Sequence, residues 1–161
     1  MRRQRGTKRS YSHEHSLREI ALQAISDHKN ALDEVVHINM SYIDSIHKSN
    51  KIIVESNLIG TLFVFMLYNA KKEKEEYIIT RAITFRAKGA FEDNNAAQKM
   101  LRAFASCARI KRRYTEIKRQ RDEAITFRDQ QKEAFEIAKN YETQLRQIAQ
   151  NACDRANNIV N

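Results

Sequence analysis

The chain contains no proline and only three glycines, Gly6, Gly60 and Gly89, in 161 residues. Sandwiches, barrels and propellers turn the backbone tightly many times, and such turns draw on Pro for a fixed φ and on Gly for a positive one. All-β classes are therefore excluded. Ala, Glu, Lys, Gln and Arg fill the chain instead, with 30% charged and 42% hydrophobic residues, the composition of long helices. We expect an all-α fold in which long antiparallel helices form a bundle. Residues 1–12 read as a basic, extended N-terminal arm and 13–161 as one helical domain, with a first half over 13–89 and a long basic, then amphipathic helix over 93–161.

The net charge of +9 is unevenly placed. The arm holds Arg2, Arg3, Arg5, Lys8 and Arg9 without an acid, and residues 98–121 hold nine bases against Glu116 alone, whereas 13–97 and 122–161 are each slightly acidic. Two dense basic blocks on a near-neutral body point to a polyanion. Nucleic acid, DNA or RNA, is the expected partner, bound through the arm and through Lys99, Arg102, Arg109, Lys111, Arg112, Arg113, Lys118, Arg119 and Arg121, with Tyr114 placed to stack on an unpaired base. Little base readout is expected, because the bZIP pattern of a leucine seam and a base-reading Asn is missing.

The helical pattern itself has internal landmarks. Ser16 and Glu19 have capping-box spacing ahead of the apolar series Leu17, Ile20, Ala21, Ala24, Ile25, which predicts a helix start there. Breaks are expected at 26–30 and 49–51, and a helix end at Gly89 with new N-caps at Asp93 to Asn95. Residues 58–68 are apolar on every face, so a central core helix is expected, with Leu58, Ile59, Leu62, Phe63, Phe65 and Met66 in the core or an oligomer contact. The run is too short to span a bilayer. From Ala124 a seven-residue beat through Phe127, Gln131, Ala134, Ala138, Tyr141, Leu145, Ile148 and Ala152 predicts an amphipathic seam for packing or self-association. The string Ala82-Ile83-Thr84-Phe85-Arg86 recurs at 124–128, which raises a duplication.

Catalytic chemistry finds no constellation: there is no phosphate loop and no nucleophile elbow. Glu34 and His37 have di-iron spacing, but the second half of the chain holds no His to complete such a site. No cofactor, metal or enzymatic activity is expected. Cys107 and Cys153 lie on apolar positions and read as buried small hydrophobes. With no apolar stretch behind the basic N-terminus, the expectation is an intracellular or intravirion protein that is not secreted.

Two short segments carry family resemblances. Asn57-Leu58-Ile59-Gly60-Thr61-Leu62-Phe63-Val64-Phe65 resembles a segment of the helical small subunits of type III CRISPR effector complexes, with Leu58 where that family has glycine and without its preceding proline. The stretch Gly6-Thr7-Lys8-Arg9-Ser10-Tyr11-Ser12 is similar in character to the arms of all-helical capsid proteins of archaeal filamentous viruses. Both imply a helical subunit that coats nucleic-acid backbone in a larger assembly. The rival expectation is a coiled-coil adaptor or membrane-peripheral subunit whose bases meet acidic lipid or protein.

Overall fold

The computed structural model describes the backbone of residues 2–87 and 90–160 and the side chains of 12–83 and 95–158. It consists of two helices, α1 (Arg2–Ala87) and α2 (Ala90–Val160), with no strand among the described residues. The fold is all-α. Where we expected breaks, α1 is continuous, because Ser26 to Asn30 and Ser49 to Lys51 include neither Gly nor Pro to stop it. The capping-box pair is likewise internal. Arg18 donates to Glu14 at 2.9 Å and His15 lies 3.3 Å from Glu19, so these side chains serve as helix-surface pairs. Residues 2–12 are helical and continuous with the rest of α1, not extended, as befits a stretch in which six of eleven residues are Arg, Gln or Lys and none is Pro. The expected stop at Gly89 lies outside the described residues. α2 begins at Ala90, ahead of the caps expected at 93–95.

Both helices bury residues at alternating steps of three and four. In α1 the series includes Leu17, Ala21, Ala24, His28, Ala31 and Val35, and farther on Ser49, Ile52, Ser56 and Ile59; in α2 it includes Cys107, Ile110, Tyr114 and Ile117, and farther on Ala138, Glu142, Leu145 and Ala149. This is a heptad repeat, a to g, with the seam at a and d. Ala21, His28 and Tyr42 occupy a in α1; Tyr114, Phe135 and Glu142 occupy a in α2. The 82–86 and 124–128 strings differ in register. Ala82 is exposed at f and Ala124 half-buried at d, which removes the structural ground for a duplication.

The chain falls into two compact units, Met1–Ile46 with Phe127–Asn161, and His47–Thr126. In the first, Leu17 and Ala21 cluster with Ala156, and Ala152 and half-buried Cys153 close over them. Ser41 donates to Gln131 at 3.0 Å, and the Tyr42 and Phe135 rings stack at 6.1 Å. Contacts that climb one helix descend the other, so the pairing is antiparallel. In the second unit Ile59, Ile110 and Ile117 form the core, with Ile52, Phe63, Met66 and Tyr114 against it. Ser45 in the first unit and Ser56 in the second return their hydroxyls to the carbonyls of Tyr42 and Ile53, which lets small polar residues occupy the seam without an unmet hydrogen bond.

Candidate nucleic-acid interface

The basic segment lies on α2 in the second unit, beside the apolar stretch of α1. Ile110, Tyr114 and Ile117 turn inward, which fixes the opposite sides of that helix turn by turn. Arg102 and Arg109 fall at c, Lys111 at e, Arg112 at f and Arg113 at g, all of them exposed. Among the described residues no carboxylate lies within 4 Å of these five; Arg109 reaches Ser106 at 3.2 Å. Other bases are partly satisfied. Arg119 is held by Glu116 and Glu123, Arg121 lies 3.2 Å from Asp122, and Lys99 is 4.0 Å from Glu73. The hydrogen bond to Glu116 comes first in raising the Arg119 pKa and, reciprocally, in lowering that of Glu116. Effective positive charge is therefore densest over 109–113.

Tyr114 does not join that surface. Its ring stacks on Phe63 at 6.0 Å, rests on Gly60, and has the Lys118 ammonium 4.5 Å from its centroid. A Cβ at position 60 would stand 2.8 Å from Tyr114 Cε2, so the glycine makes room for the ring. The tyrosine is a seam residue whose ring is already occupied, which corrects the base-stacking expectation. The side chains of Arg2, Arg3, Arg5, Lys8 and Arg9 lie outside the described residues.

The apolar run is also not buried on all sides. Ile59 is buried and Phe63 and Met66 half-buried, but Leu58 is 67% and Phe65 60% exposed, with Leu62 and Tyr68 exposed as well. Two helices can cover one stripe of each other and no more. Against the expectation that the apolar run is too short to span a bilayer, α1 contains an 18-residue window long and apolar enough to cross one by length and composition, and 11% of it is buried. A hairpin crossing at that level would carry Lys111, Arg112 and Arg113 into hydrocarbon, at a cost of several kcal/mol.

In the first unit the expected seam is half right. Leu145 is half-buried at d, whereas Phe127, Tyr141 and Ile148 are exposed at g, one position short of the true a residues. What sequence reasoning missed is His28 with Glu142: Nε2 donates to Oε1 across 2.8 Å, and Glu142 is buried. This hydrogen bond, ahead of the Arg146 charge, holds the Glu142 carboxyl below its ordinary 4.5 against the opposing effect of burial. Both stand at a, but which a residue of one helix meets which of the other is set by the pairing and not by either helix's own pattern. No group of three or more metal-ligating side chains occurs among the described residues.

Comparison with protein-family models, with curated proteins and with solved structures gives no match.

Proposed function

We propose that the chain is a non-enzymatic structural subunit that binds nucleic-acid backbone, with little base readout, through the outer surface of α2. The observation that carries this reading is the exposed cluster of Arg102, Arg109, Lys111, Arg112 and Arg113 along one helix, none of them paired with a described carboxylate. The second unit as a whole holds seventeen Lys and Arg against nine Asp and Glu. Bases spread over c, e, f and g form a convex strip that suits phosphates, each contact releasing condensed counterions. A convex helix without a groove-reading motif contacts backbone more readily than base edges. The arm's five bases would extend the same attraction.

Fluorescence anisotropy with labelled single- and double-stranded DNA and RNA across a salt series tests the reading. Affinity is expected to fall steeply with salt. Replacing Lys111, Arg112 and Arg113 by Ala should reduce the log–log slope by about 2 to 3, depending on the strand type. Salt-insensitive binding, or a slope the triple variant leaves unchanged, would overturn it. The exposed Leu58, Phe65 and Tyr68 favour a second reading, contact with an acidic bilayer, which co-flotation with anionic vesicles after nuclease treatment would reveal.

A further inference from the structure

The first unit buries one heptad seam and leaves two more uncovered. On α1, Leu22, Ile25, Leu32, Val36 and Ile43 recur at b and e, all exposed, interrupted by Lys29 at b and Asn39 at e, about 100° around the helix from the buried a and d positions. On α2, Phe127, Ala134, Tyr141 and Ile148 recur every seven residues at g, and Ile137 at c adds to them; all but half-buried Ala134 are exposed. A helix with two heptad seams lies between two helical neighbours. Neither lipid nor an irregular protein surface asks for a 3.5-residue period. The period of each stripe therefore suits another helix.

The antiparallel pairing places the two stripes on opposite faces. Positions e of both helices share one face and positions g the other, as the contact of Ser41 at g with Gln131 at d shows for this unit. The front face carries the apolar α1 stripe beside Lys132, Lys139 and Arg146, which occupy e of α2. The back face carries the apolar α2 stripe beside Asp27 and Glu34, at g of α1. All five charged residues are exposed. Apolar and charged halves are thus exchanged between the two faces.

We infer that the front face of one copy packs on the back face of a second copy turned by half a turn about the normal to the face. The α1 stripe then runs parallel to the α2 stripe of the next copy. Leu22 to Ile43 and Phe127 to Ile148 have the same length, about 31 Å at 1.5 Å per residue. The register that sets Leu22 against Phe127 and Ile43 against Ile148 also brings Lys132 level with Asp27 and Lys139 level with Glu34. Apolar and ionic matches agree on one alignment, which is the argument for a second copy as the occupant. Because front meets back, each addition leaves a free front and a free back, and the assembly grows without closing. The inference is independent of nucleic-acid binding.

The test uses the full chain, nuclease-treated, in sedimentation velocity over a concentration series. One variant blocks the front (Leu32→Asp with Val36→Asp) and one the back (Tyr141→Asp with Ile148→Asp). Wild type is expected to grow past the dimer with concentration, each variant alone to stay monomeric, and an equimolar mixture of the two to form a 1:1 dimer through the intact pair of faces. Glu34→Lys should weaken wild-type association, and Lys139→Glu in the same chain should restore it. Far-UV circular dichroism checks helicity; if the Asp variants lose it, Ala at the same four positions replaces them. A monomeric wild type, a closed dimer that the back variant leaves intact, or an inert mixture would each overturn the inference. So would a monomer that floats with anionic vesicles.

Discussion

The two units share one heptad scaffold and solve its packing differently. The second fills its seam with Ile59, Ile110, Ile117, Phe63 and Tyr114, and wears its charge on the outside of α2. The first lines its seam with Ala21, Ala24, Ala31, Ala149 and Ala156, adds half-buried His28 paired with buried Glu142, and carries twelve bases against eleven acids. Large side chains remove more apolar area from water per layer, so the second unit draws its cohesion from burial within the chain. An alanine seam removes less. The first unit's larger apolar residues, Leu22, Leu32 and Val36 among them, stand exposed on other faces.

The comparison breaks first at Ile59. Ile59→Ala should cost about 2 to 5 kcal/mol, read as a lower urea midpoint, since a buried Ile leaves a cavity among Ile110, Ile117 and Phe63. The opposite change probes the other unit: Ala149→Leu should cost about 1 to 3 kcal/mol by overpacking a seam of small residues. A stabilised Ala149→Leu protein would show that this seam has room to spare. Gly60→Ala comes next, at about 1 kcal/mol. Helix propensity favours the alanine by a similar amount, but its Cβ meets the Tyr114 ring that Phe63 pins, so net destabilisation is expected. In a Tyr114→Leu background the sign should reverse, which differential scanning calorimetry of the four proteins would record.

These contrasts explain what the sequence made legible. Helical class followed from missing breakers, and continuity exceeded expectation because polar clusters without Gly or Pro do not stop a helix. The seam of α2 was read through Ala124, Gln131, Ala138 and Leu145, which hold d. By apolar character its other half falls on Phe127, Tyr141 and Ile148, while the true a positions include Arg128 and Glu142. Polar residues are tolerated there when the opposite helix supplies a partner, as His28 does for Glu142, and a single helix's pattern does not contain its partner. Likewise the basic block was legible as charge, but the loss of Tyr114 to the seam depended on Gly60 and Phe63 lying opposite.

The His28–Glu142 pair gives the first unit a pH response of its own. Glu142 titrates below its ordinary 4.5 in the folded chain, chiefly through the His28 hydrogen bond and then the Arg146 charge. Its contribution is therefore complete above about pH 4.5 and is lost as pH falls through the lowered folded value. Thermal melts from pH 6 to 3 should show a decline in melting temperature that Glu142→Gln flattens. Replacing both partners by Leu should cost less than His28→Ala, which strands a buried carboxylate. Hydrogen exchange should place the effect in residues 17–45 and 128–156, leaving the amides around Ile59 and Ile110 unchanged.

The smallest expected effect concerns how charge is counted on the second unit. Arg112 and Arg119 both stand at f, seven residues apart, yet Arg119 is clasped by Glu116 and Glu123 and Arg112 pairs with no acid among the described residues. Those ion pairs are solvent-exposed, so removing them should not measurably change the melting temperature. Their consequence is for polyanion binding. Arg112→Ala should lower the salt slope by about 1, whereas Arg119→Ala, which also releases two carboxylates onto the same surface, should weaken affinity while changing the slope less. Glu116→Gln with Glu123→Gln should then tighten binding, because it frees Arg119 for a phosphate and takes two repulsive charges from the strip. If Arg112 and Arg119 prove interchangeable in the salt series, binding follows net charge rather than the local pairing of each base, and the distinction drawn along α2 fails.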